Sequence, residues 1–150
     1  MPHPRFLFVI ADGGRARLVR RSPDTGDFVT EREIDGGEHL RSLRAFLRRN
    51  PPGRSFESAT SARHAVGPED PYRQAKEEFA AEVADAAVKL ATSENVSDVV
   101  LVANARTLPP LRRRIGSRVR ITGQLGKDLT KVPDHELSHW LTSLELAPAA

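Results

Sequence analysis

Residues 6–11, F-L-F-V-I-A, are apolar at odd and even positions alike. Successive side chains of a strand point to opposite faces, so this run needs cover on both sides and predicts a central strand of a sheet. Asp12-Gly13-Gly14 follows, with residue types that supply positive φ in tight hairpins. Arg15, Ala16, Arg17 and Leu18 then alternate, the pattern of a strand with one wet and one dry face. Ser22 to Gly26 reads as a turn, and Asp27 to Ile34 as a third, edge-type strand in which Glu31, Arg32 and Glu33 tolerate water. The chain therefore opens as an antiparallel meander with its first strand innermost.

Helical spacing takes over at Glu38. Leu40, Leu43, Phe46 and Leu47 recur every three or four residues, with Arg41, Arg44, Arg48 and Arg49 largely off that stripe, predicting a short basic amphipathic helix. Asn50-Pro51-Pro52-Gly53 ends it. Residues 54–70 show no period, and an irregular stretch of 17 residues inside one domain is usually functional or disordered. Asp70-Pro71 gives an N-cap and a proline at the first helical position, opening a long helix to about Thr92 with Phe79, Val83, Ala86, Ala87 and Leu90 on its buried face. Asp98 to Ala103, D-V-V-L-V-A, is a second run without alternation and a second central strand. Leu108-Pro109-Pro110 starts a short helix, Val119 to Leu125 reads as a fifth strand, and a last helix runs from about Pro133 to Leu144.

Right-handed crossovers place the fourth and fifth strands parallel to the first, giving the sheet order 3-2-1-4-5. That is an α/β, ribonuclease H-like three-layer fold with helices on both faces. A chain of 150 residues forms one core of this kind, here a single domain over 1–146 with a short tail at 147–150. There is no cysteine, which excludes disulfides and thiolate chemistry. The apolar run near the N-terminus is too short to span a membrane and lacks a small-residue cleavage site, so a cytoplasmic protein without a membrane span is expected.

Arginine outnumbers lysine nineteen to four, and charge is segregated along the chain. The net charge is +4 over residues 1–54, −4 over 55–97, +6 over 98–131 and −3 over 132–150. Basic patches of this sort bind phosphate backbones; a GC-rich coding composition produces the same arginine excess.

Catalytic signatures are few. His135-Glu136-Leu137-Ser138-His139 matches H-E-x-x-H, in which two histidines one helical turn apart hold zinc and the glutamate activates water. Leu137, Trp140, Leu141 and Leu144 lie on the opposite arc of that helix, which turns His135 and His139 toward solvent, and Glu145 is the sole nearby carboxylate for a third ligand. Two-metal nuclease chemistry needs clustered carboxylates, whereas Asp12 lies in a turn and the fourth strand ends on Asn104. Gly13-Gly14 and Gly36-Gly37 are turn residues, since neither pair opens a helix in a phosphate-loop pattern. No catalytic residue and no cofactor is expected, with His135, Glu136 and His139 the weak metal alternative.

Several separated stretches match one family: A-D-G-G-R-A-R-L near the start, P-G-R-S-F-E-S at 52–58, the D-P run with F-A at 79–80, L-V-A-N-A-R-T-L at 101–108, and K-D-L-T-K-V-P with E-L and H-W-L at 127–141. Together they resemble the bacterial host-attachment protein family, proteins required for attachment to host cells. That family is similar to the middle domain of archaeal and eukaryotic peptide-chain release factors and of Pelota. In those factors the loop before the long helix carries Gly-Gly-Gln into the peptidyl-transferase centre. Here the loop position holds Pro52-Gly53-Arg54-Ser55-Phe56 and no glutamine. The resemblance therefore implies docking on ribosomal RNA or tRNA without release chemistry. Arg54, Ser55, Phe56, Arg63 and His64 of the loop, with Arg106, Arg112, Arg113, Arg114 and Lys127, are the expected binding residues. A protein partner in surface attachment and a metal-dependent hydrolase are the alternative functions.

Overall fold

The computed structural model describes residues 5–36, 42–43, 45–46, 48–49 and 71–145. Strands β1 (Phe6–Ala11), β2 (Arg15–Arg21) and β3 (Phe28–Asp35) form the meander, followed by helix α1 (Pro71–Ser93), strand β4 (Asp98–Ala103), helix α2 (Leu108–Gly116), strand β5 (Ile121–Leu125) and helix α3 (Ser138–Glu145). The sheet order is β3-β2-β1-β4-β5, as the crossover argument requires. β1 pairs antiparallel with β2 (Val9 opposite Leu18) and parallel with β4 (Phe6 opposite Asp98 through Ala11 opposite Ala103). β5 runs parallel to β4, beginning two residues later than the apolar pattern suggests. Residues 42, 43, 45, 46, 48 and 49 are helical, inside the helix expected from Glu38 to Arg49. The rest of that segment and the 54–70 loop lie outside the described residues.

Two clusters cover the two faces. On one, Leu7, Val9, Ala11, Leu18, Ile34, Val99 and Leu101 meet Phe79, Val83 and a row of alanines on α1, with Leu108, Leu111 and Ile115 of α2. Alanine on α1 lets the helix approach the sheet closely and costs little side-chain entropy. Gly36, just past β3, is fitted to the same contact: a Cβ there would lie 2.6 Å from the Phe79 ring. α1 ends where Asn95 takes the left-handed conformation (φ 57°) and Val96 N–H donates back to Ala91 C=O, a glycine-like C-terminal stop.

The second face is closed differently. Phe8, Ile10, Val19, Phe28, Val100 and Val102 pack under Leu129 of an irregular strap (residues 126–133), Leu137 just before α3 and Leu141 of α3. The expected last helix is split. Asp134–Glu136 form one 3-10 turn, and α3 starts only at Ser138.

Two local expectations are corrected. β2 does not have a wet face: Ala16 to Val19 are all buried, Arg17 among them. Its guanidinium is satisfied instead by the strap, with Nη1 donating to the carbonyls of Leu129 (3.0 Å), Thr130 and Val132, Nε to Thr30 Oγ1, and Nη2 to Asp134. Nor is the first hairpin built on positive-φ glycine. Among the described glycines only Gly26, in the β2–β3 turn, has such a φ (79°). The β1–β2 turn is held by Asp12, whose Oδ1 accepts from the backbone N–H of Gly14 and of Arg15, both at 2.7 Å.

Candidate functional site

The strand order fixes where a crevice opens. From the carboxyl end of β1 the chain turns toward β2, on one side; from the adjacent carboxyl end of β4 it turns through α2 toward β5, on the other. Open α/β sheets bind ligands where connections from neighbouring strands diverge in this way. A recess of about 50 Å³ lies there, walled by Asp12 and Gly13 on one side, Arg106 and Thr107 on the other, and Lys76 of α1, over an apolar floor that includes Phe79 and Leu111.

Each polar wall residue has an assignable state. Asp12 spends Oδ1 on the hairpin and accepts from Thr130 Oγ1 at Oδ2 (3.3 Å), so its charge is turned to the turn and the strap. Asn104 Oδ1 accepts from Arg106 N–H, Thr107 N–H and Thr107 O–H, which fixes the turn carrying Arg106. Arg106 is exposed, and its guanidinium makes no hydrogen bond or ion pair among the described residues. Lys76 arches over Gly13: a Cβ at Gly13 would lie 3.5 Å from its Cε and 3.9 Å from its Nζ.

A family model described as "Protein required for attachment to host cells" matches residues 7–141, from β1 into α3. The chain belongs to this host-attachment family. Comparison with curated proteins gives no match. Among solved structures it aligns with the Aquifex aeolicus Ppx/GppA phosphatase, type II variant, at 16% identity and a TM-score of 0.41. The alignment covers 80% of this chain and 36% of that one, so the chain spans about a third of that protein's length. At that TM-score the likeness supports no functional conclusion.

In the host-attachment-family protein the other expected binding residues fall in three places. Arg112, Arg113 and Arg114 stand exposed on α2, where Arg112 donates to Gln124 of β5 and both Arg113 (3.3 Å) and Arg114 (3.4 Å) reach Glu77 of α1. Arg113 and Arg114 also share with Arg118 an open cleft of about 410 Å³, away from the recess lining. Lys127 goes to the opposite face, its ammonium 4.1 Å over the Trp140 ring. Arg54, Ser55, Phe56, Arg63 and His64 lie outside the described residues.

His135 and His139 of the H-E-x-x-H stretch straddle the break between the 3-10 turn and α3, and both are exposed, the His135 side chain by 80%. Among the described residues no three His, Asp or Glu side chains gather in a metal-binding group. No described helix is long and apolar enough to cross a membrane. Lys76, Asn104 and the Asp12–Gly13 wall were not singled out by residue type as binding groups. The sheet order was the available signal, because it fixes which strand ends diverge.

Among the described residues, Asp134 has a carboxyl displaced from its ordinary pKa. Burial pushes its carboxyl upward, but hydrogen bonds from the Thr30 side chain and backbone, then the Arg17 hydrogen bond and charge, outweigh burial and hold it below its ordinary value. It sits in the 3-10 turn just after the strap and outside the recess lining.

Proposed function

We propose that this host-attachment-family protein is a non-catalytic binding module for a phosphate-bearing polymer, with ribosomal RNA or tRNA as the partner class. The observation that supports this reading best is the state of its arginines along 98–131, the most basic stretch of the chain. Arg106 has no anionic partner among the described residues, and Arg113 and Arg114 hold only an exposed carboxylate–guanidinium contact. Exposed pairs contribute about 0–1 kcal/mol, so a phosphate can replace Glu77 at little cost. The resemblance to release-factor middle domains favours ribosomal RNA or tRNA over DNA, and gives Arg54, Ser55, Phe56, Arg63 and His64 contact roles on the same partner. Lys127, stacked on Trp140, would contribute on the second face.

The test is co-sedimentation with ribosomes at rising salt. Binding that needs several phosphate contacts loses orders of magnitude between about 50 and 200 mM salt. Failure to bind at the low end removes the reading. Capture that survives nuclease and ignores salt replaces it with a protein partner in attachment.

A further inference from the structure

We infer that the cleft between α1 and α2 takes the phosphates of one RNA strand, with Arg118 as a further contact and with Glu77 and Asp85 as internal counter-anions that the strand displaces. This rests on the RNA reading above and names the surface that reading uses. The cleft, about 410 Å³, has Arg113, Arg114 and Arg118 on the α2 side and Ala81, Ala84 and Asp85 on the α1 side. The alanines leave its floor open. That volume falls within the range of about 300–1,000 Å³ for small-ligand clefts, so it receives a nucleotide-sized length of one strand and not a double helix. None of the residues lining it is aromatic, so bases find no ring to stack on and binding there is blind to sequence.

All three guanidiniums are engaged, and the engagement is weak. Arg113 (3.3 Å) and Arg114 (3.4 Å) share one carboxylate, Glu77, and Arg118 reaches Asp85 at 2.6 Å. The Asp85 side chain is 74% exposed and that of Arg118 47%. Water competes for both partners, and an exposed pair of this kind is worth about fivefold at most in an equilibrium. Three cations face two carboxylates, so the cluster keeps a net charge of +1 with every pair formed. A run of phosphates answers that charge more fully, each offering two oxygens to the fork of a guanidinium. Arg112 is placed differently on the same helix: it donates to Gln124 of β5 and does not line the cleft. Net charge alone would make Arg112 and Arg118 equivalent; the cleft separates them.

The experiment is fluorescence anisotropy of a short labelled single-stranded RNA with the full chain at about 100 mM salt, where charges more than about 10 Å apart are largely screened. Arg118→Ala should weaken binding about fivefold and make the salt slope shallower by about 1. Arg118→Lys should recover part of that loss. Arg112→Ala, the same change in net charge, should stay within about twofold of wild type. Glu77→Gln and Asp85→Asn should each tighten binding about two- to fivefold, because the strand no longer has a carboxylate to displace. Glu33→Gln, the same neutralisation at an exposed position of β3, should not. Urea unfolding confirms that each variant is folded. Equal losses at Arg112 and Arg118, equal gains at Glu33 and Asp85, or a double-stranded RNA that binds as tightly and answers to the same variants would overturn the cleft assignment. Wild-type binding that persists under those outcomes leaves the RNA reading standing elsewhere on the molecule; no binding by wild type or by the Glu77→Gln/Asp85→Asn double variant at low salt removes both.

Discussion

Arg17 and Arg106 are the same residue type in regions with opposite donor accounts. Arg17 is 8% exposed, and its Nε, Nη1 and Nη2 all have acceptors on Thr30, the strap and Asp134. Arg106 is exposed on a turn whose backbone is already satisfied by Asn104, and its guanidinium has no partner among the described residues. The first holds a layer of the fold in place. The second is available to an outside anion. Arginine content alone therefore says little about binding; what separates the two roles is whether the donors are already used.

The comparison breaks most visibly at Arg17. Arg17→Met would leave the strap carbonyls without donors and Asp134 without its cation, a loss of about 3 kcal/mol at the lower end of buried-pair costs because Asp134 is partly exposed. Urea unfolding reads it, and ribosome binding by the folded fraction should not change. Asp134→Asn should cost less, about 1 kcal/mol at neutral pH. Because the folded carboxyl titrates below its ordinary value of 3.8, the wild-type advantage is present above that pH and is lost as pH falls through the lower folded value. Parallel unfolding curves at pH 7 and pH 3 check this, and a difference that grows with acid would contradict it.

Smaller effects lie on the displayed side. Arg113→Ala removes one exposed contact to Glu77 and should move stability by no more than about 0.5 kcal/mol while weakening RNA binding. Arg106→Ala should leave the unfolding midpoint unchanged, as for a surface position without partners, and lower RNA affinity. Equal stability losses at Arg17 and Arg106 would erase the distinction between the two regions.

The layout was legible because β1 and β4 lack alternation, a pattern that only a strand covered on both faces requires. The buried stripe of α1 was equally plain from Phe79, Val83 and Ala87. Arg17 was misread for a physical reason: alternation treats every charged side chain as solvent-facing, and the acceptors that bury it are backbone carbonyls of a strap more than a hundred residues away, which leave no mark on side-chain pattern. The first hairpin misled in the same manner, since Asp12 fixes it by side-chain acceptance where Gly13-Gly14 suggests glycine backbone freedom. The helix break at Leu137 was hidden by a continuous apolar arc, Leu137 to Leu144, that both a single helix and a turn plus helix can present. At the candidate site Arg106 was found by charge. Lys76 was missed because one lysine on a long helix resembles any other until the helix is packed across the end of β1.

The role proposed for Arg106 is contact with a phosphate. Its direct measurement is the slope of log affinity against log salt for an RNA or ribosome ligand, compared between the wild-type chain and Arg106→Ala. Removing one phosphate contact should lower affinity and make that slope shallower by about 1. Superimposable lines for the two proteins would show that Arg106 touches no phosphate and would contradict the account.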